Sequence, residues 1–126
     1  MIYPDWSAPG AVRAVTTTRQ GGVSETPFDA LNLADHVGDR PESVKQNRAW
    51  LRQHLSLPAD PVWLQQVHGS SVVACDGAAP RSPADAGYTD RRGVVCAVLT
   101  ADCLPVLFCD RQGTRVAAAH AGWRGL

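Results

Sequence analysis

Apolar residues in this chain fall into short β-branched runs broken by glycine, proline and aspartate, with one stretch of longer period. Val12–Thr18, VRAVTTT, ends at the glycines of RQGG, which predicts a strand running into a turn. After the loop-like LNLADHVGD, Val44, Leu51 and Leu55 recur at intervals of seven and four and share one helical face, while Lys45, Arg48 and Arg52 are free to face water. That spacing predicts a helix from about Arg40 to Leu55, with Asp39 as its N-cap, Pro41 in the first turn and Glu42 completing a capping box. Pro58 and Pro61 then stop it.

Downstream, VWLQQV from Val62 to Val67 predicts a strand that delivers His68 and Gly69 at its end, and SVVAC predicts the next strand. Gly77–Gly93 has no clear period and a Gly, Pro, Ser and Asp content that predicts a long loop. VVCAVL, LPVLFCD and RVAAAH then predict three strands buried on both faces near the centre of a sheet.

Composition narrows the picture. A chain of 126 residues with 44% hydrophobic content fits one compact globular domain. Twelve basic and twelve acidic side chains cancel, and the arginines are scattered, which argues against nucleic acid and membrane surfaces as partners. The first residues, MIYPDWSAPG, lack the pattern of a signal peptide, and no apolar run approaches the ~20 residues of a membrane helix, so a cytoplasmic location is expected. Cys75, Cys96, Cys103 and Cys109 show no CxxC spacing, and free thiols rather than disulfides are expected.

His68, Cys103 and His120 each sit at the end or turn of a predicted strand, beside Gly69, Pro105 and Gly122. Two imidazoles and a thiolate suit zinc, and three protein ligands with one open position is the arrangement of a catalytic zinc site, where bound water titrates near ~7. Each residue also has an ordinary structural reading, and gaps of 35 and 17 positions match no compact zinc-finger signature. A Cys and His pair equally suits a nucleophile and its base. Asp102 either orients a ligand histidine or caps its turn, as does Thr100. Arg19, between a strand and two glycines, could grip a phosphate or be a surface arginine beside a turn. His36 and Asp39 in DHVGD either meet a ligand or shape the loop.

The blocks TTRQGGVS, LNLADHVGD, WLQQVHG, TADCLPVLF and AAAHAGWRGL, in that order, resemble the YfiH-type family, once labelled polyphenol oxidase or laccase-domain proteins and now regarded as zinc-dependent purine nucleoside phosphorylases. The resemblance implies zinc as cofactor, with His68, Cys103 and His120 as metal ligands and catalytic centre. It also implies phosphorolysis of adenosine, inosine, guanosine and methylthioadenosine, with adenosine deamination beside it. Arg19, His36 and Arg124 become candidates for binding substrate or phosphate. The implied fold is an α+β, mixed-sheet α/β/β/α sandwich of the type also found in cytotoxic necrotizing factor toxins, and that analogy suggests as an alternative a hydrolase with Cys103 as nucleophile and His120 as its base. The ADAGYTD block departs from the usual ADAL pattern at Gly87 and Tyr88, which touches the detail of the pocket wall. Copper-dependent phenol oxidation is a weaker reading, since four histidines are few for a multicopper oxidase. Because HAGWRG lies near the middle of family members, residues 1–126 are expected to form the N-terminal half of a longer domain, with self-association through exposed strands as a consequence.

Overall fold

A computed structural model of the chain describes residues 1–124. The fold is α+β, with one helix and one mixed four-stranded sheet among the described residues. It divides into two compact units, Met1–Tyr3 with Val15–Leu57, and Pro4–Ala14 with Pro58–Leu126.

The first unit is organised by helix α1, Pro41–His54. Pro41 opens it because its fixed φ suits the first helical turn and its missing N–H is not needed there. Val44, Leu51 and Leu55 are buried, as the spacing predicts. The cap differs from expectation: Arg40 is the N-cap and has no side-chain cap bond. The Asp39 carboxylate is engaged elsewhere, accepting from Ser24 Oγ at 2.6 Å, Asn32 Nδ2 at 3.0 Å and the Arg40 N–H at 2.8 Å. Arg48 does not face water either, since its guanidinium donates to the Leu33 carbonyl at 2.7 and 2.9 Å.

Asn47 lies on the same buried face of α1 and is fully enclosed. Its Nδ2 donates to Ser24 Oγ (2.9 Å), Asn32 O (2.8 Å) and Ala30 O (3.3 Å), and its Oδ1 accepts from the Val23 N–H (2.8 Å). One amide thus holds residues 23–32 to the helix, and a Cβ on Gly22 would meet Ala30 O at 2.2 Å. The strand expected over Val12–Thr18 does not form; only Thr16 pairs, with Ile2. The polar hydrogen bonds of Asn47 and Asp39, and not a ladder, order the loop that follows.

The second unit carries the sheet, ordered β1-β2-β4-β3. Its strands are β1 (Val72–Ala74), β2 (Ala86–Thr89), β3 (Leu104–Cys109) and β4 (Val116–Ala121). β1 runs parallel to β2, and β4 pairs antiparallel with both β2 and β3. The expected strands at SVVAC, LPVLFCD and RVAAAH are present. Two others are not: VWLQQV and VVCAVL make single bridges, Val62 with Cys96 and Gln65 with Pro83. Conversely, β2 forms within the stretch expected to be all loop, where buried Gly87 and Thr89 alternate with the exposed Tyr88.

Nor is β3 buried on both faces. It is one of the two edges of the sheet, with Leu104 and Phe108 exposed, which is where Pro105 is tolerated because an edge strand need not donate on its outer side. The Ala117–Ala119 run of β4 keeps the middle strand thin between its two neighbours. The four cysteines are free thiols. No helix among the described residues is long and apolar enough to cross a membrane. The helix start expected at Gly122–Leu126 falls partly outside the described residues; Trp123 and Arg124 form a turn.

Candidate metal centre

The sheet register of the second unit builds the site. Ala86 pairs with Ala119, so Asp85 at the start of β2 stands opposite His120 near the end of β4. On the other side of β4, Pro105 pairs with His120 and Leu104 with Ala121, so Cys103 falls just before β3 at the same end of the sheet. A Cβ on Gly122 would lie 3.5 Å from Cys103 Sγ and 3.6 Å from His68 Cδ2, so the backbone after β4 runs alongside both. His68 arrives from a separate segment, WLQQVHG, whose Gln66 amide clips it to Leu99: Nε2 donates to the Leu99 carbonyl and Oε1 accepts its N–H, each at 2.7 Å.

One ligand atom from each of His68, Cys103 and His120 falls within 4.8 Å of the others, a separation that a single ion could bridge. The two imidazoles meet edge to face, with centroids 4.8 Å apart. His68 is exposed, Cys103 half-buried and His120 buried, so the cluster opens to solvent on one side. This donor set fits a borderline-soft divalent ion.

Asp85 completes the arrangement, and sequence reasoning passed over it. Its carboxylate is buried with His120 and lies 2.7 Å from His120 Nδ1. The same carboxylate accepts the N–H groups of Val67 (3.0 Å), His68 (3.0 Å) and Gly69 (2.9 Å), closing the turn in which His68 adopts a φ of 59°. The Asp85 carbonyl also accepts the His120 N–H at 2.7 Å. Burial raises the Asp85 pKa, but the bond from His120 and those from the three N–H groups outweigh it and hold the group below its ordinary 3.8. Its only signal in the sequence was a charged residue between two alanines, in a stretch that reads as loop.

Asp102, read from the sequence as either orienting a histidine or capping its turn, accepts from Cys103 Sγ at 3.7 Å. Burial pushes the Cys103 thiol up, and the charges and hydrogen bond of Asp102, with Asp85 further off, add to the rise. A cation at the cluster would reverse that, since a coordinating thiol is deprotonated outright.

Arg19 and His36 belong to the first unit. Arg19 is exposed and pairs with Asp29, at 3.2 Å to the carboxylate and 2.9 Å to the carbonyl. His36 lies 3.8 Å from Asp35. Arg124, in the second unit, places its guanidinium 4.8 Å over the ring of the exposed Trp123. Gly87, where the sequence departs from the ADAL pattern, is packed so closely that a Cβ there would come 2.5 Å from Cys75 Sγ.

Fold and cluster together define an α+β protein with a His–Cys–His cluster that could hold a metal ion at one end of a mixed sheet. The chain belongs to the family described as multi-copper polyphenol oxidoreductase laccase, whose model matches residues 13–126. It is 56% identical to the purine nucleoside phosphorylase YfiH of Escherichia coli (strain K12), over 100% of this chain and 52% of that protein. It is 58% identical to a purine nucleoside phosphorylase of Pseudomonas aeruginosa, over 99% of this chain and 50% of that one. A crystal structure of a Neisseria meningitidis protein matches with a TM-score of 0.91 and 53% identity, covering 98% of this chain and 51% of that one. YlmD from Geobacillus stearothermophilus matches with a TM-score of 0.76 at 37% identity, covering 86% and 44%. The chain spans about half the length of the relatives it matches.

Proposed function

We propose that His68, Cys103 and His120 form the zinc centre of a purine nucleoside phosphorylase acting on adenosine, inosine, guanosine and methylthioadenosine, with adenosine deamination as a second activity. The observation that carries this reading is the convergence of three donor atoms, from segments far apart in sequence, within 4.8 Å. The high identity to proteins named purine nucleoside phosphorylase supports the substrate class. Zinc held there supplies Lewis acidity at neutral pH.

Phosphorolysis joins a phosphate oxygen to the anomeric carbon of the nucleoside as the purine base departs. Arg19 is assigned to the phosphate, because its guanidinium fork, now paired with the exposed Asp29, matches a phosphate bidentately, and exposed pairs are weak enough to exchange. Arg124 is the second candidate for the anion, and His36 for the nucleoside. Asp85 keeps the His120 ring oriented, and the Gln66 clip steadies the backbone beneath His68.

The competing reading, Cys103 as a nucleophile with His120 as its base, needs a thiol whose pKa is lowered, whereas burial and two carboxylates raise that of Cys103. Copper, which the family description names, would use the same ligands without the further histidines of a multicopper site.

Elemental analysis of protein purified without added metal, together with an assay of phosphate-dependent base release from adenosine and inosine, tests the proposal. The expected result is about one zinc per chain, lost in a Cys103→Ser variant, and turnover that rises with phosphate and falls in Arg19→Ala. A Cys103→Ser variant with full zinc content would move Cys103 out of the ligand set. A zinc-loaded protein without base release would leave a metal-binding domain that does no catalysis.

A further inference from the structure

We propose that Asp85 is the positioning residue of the metal centre, its single carboxylate fixing which nitrogen His120 offers and the shape of the turn that presents His68. The inference rests on the reading of His68, Cys103 and His120 as metal ligands. It adds a residue that the reading does not use.

The argument is one of hydrogen-bond valence. A buried carboxylate is tolerated only where donors replace water, and Asp85 has four: Oδ1 accepts from Val67 and Gly69, and Oδ2 from the His68 N–H and His120 Nδ1. A carboxylate accepts and does not donate, so the proton of the His120 ring lies on Nδ1 and the lone pair on Nε2. Only Nε2 is then left for a metal. The three N–H groups come from consecutive residues of a turn whose middle member, His68, has φ 59°, a conformation rarely adopted by residues other than glycine. The carboxylate thus holds that turn as an N–H nest holds an anion. Two of the three ligands are set by one group, from the start of the strand that neighbours His120.

Asp85→Asn separates this from mere packing, because the amide has nearly the same shape. Its oxygen can serve Val67 and Gly69, but its NH2 then faces His68 N–H and His120 Nδ1. It can donate to Nδ1 only if the ring proton moves to Nε2, which removes the metal's lone pair. The alternative flip sets the NH2 against the N–H groups of Val67 and Gly69 and opens the turn.

Zinc affinity, measured by chelator competition on wild type and Asp85→Asn with matching circular dichroism, should fall about 10–100-fold in the variant. Nitrogen-15 NMR of the metal-free wild-type histidines at mildly alkaline pH should show His120 protonated on Nδ1 and bare on Nε2. Equal zinc affinity in a folded Asp85→Asn overturns the proposal, and so does a wild-type His120 protonated on Nε2 alone. The NMR result decides if the variant does not fold. Should the wild type itself take up no zinc, the ligand reading fails while the tautomer still reports on Asp85.

Discussion

Asn47→Ala should remove more stability than any surface substitution in the first unit. The amide makes four hydrogen bonds from a fully buried position, the shortest to Val23 N–H and to the Asn32 carbonyl at 2.8 Å each. Truncation leaves at least those two backbone groups against a dry space, and an unsatisfied buried group costs about 1–3 kcal/mol. Alanine recovers at most about 0.7 kcal/mol through its better helix propensity. The net loss is therefore about 1–5 kcal/mol, a large share of the 5–15 kcal/mol typical of a whole domain. Urea unfolding followed by ellipticity at 222 nm reads it directly, because α1 is the only helix among the described residues. Asn47→Asp should do no better, since it keeps the Val23 bond but sets a carboxylate against two carbonyl oxygens. A loss below about 1 kcal/mol at unchanged m-value would refute the reasoning, showing that water replaces the amide at little cost.

Three further outcomes are expected. Gly87→Ala should lower the melting temperature by the equivalent of about 1–3 kcal/mol, as its Cβ would come 2.5 Å from Cys75 Sγ; an unchanged melt would mean that Cys75 moves aside freely. Asp39 is held below its ordinary 3.8, chiefly by the Asn32 hydrogen bond and then by that of Ser24. Its folded pKa being lowered, it contributes stability above its unfolded value that is lost as the pH falls through the folded one, so Asp39→Asn should flatten the acid limb of melting temperature against pH, and an unaltered limb would remove Asp39 from it. Gln66→Leu strips both 2.7 Å bonds from Leu99 and should cost about 2–5 kcal/mol while weakening zinc uptake, checked by denaturation and zinc titration; full stability would show that the clip is dispensable.

What could be read in the sequence was whatever depended on local period. The helix and the runs that became β1, β3 and β4 announced themselves by spacing or by β-branched content, and the three candidate ligands by lying at element ends. What could not be read depended on partners distant in the chain. VWLQQV and VVCAVL have strand composition but pair at single points, because Gln66 and Leu99 are joined by a side chain and not by a continued ladder. Ala86–Thr89 has weak strand propensity, with Gly87 in its middle, and becomes a strand because β1 and β4 flank it on both sides. Asp39 had the spacing of a cap, yet Ser24 and Asn32 drew its carboxylate away from the helix. Arg48 was assigned to solvent by helical phase alone, while the Leu33 carbonyl lay within its reach.

The same distinction explains why the candidate metal centre was half visible. His68, Cys103 and His120 are chemically conspicuous, but their meeting depends on register. β4 fixes Asp85 through its pairing with β2 and sets the approach of Cys103 through its pairing with β3. A slip of one residue in β4 would turn the His120 side chain to the opposite face, because successive strand residues alternate. The alanines of RVAAAH cannot by themselves choose that register, since small side chains pack alike on either face. Asp85 can, because only one pairing sets its carbonyl against the His120 N–H and its carboxylate against the His120 ring. In any other register of β4 the bond from the His120 ring is lost, and a buried carboxylate is left one donor short. The residue that holds the His120 ring and the His68 turn is thus also one that penalises a misaligned sheet, tying the geometry of the candidate site to the register of the fold.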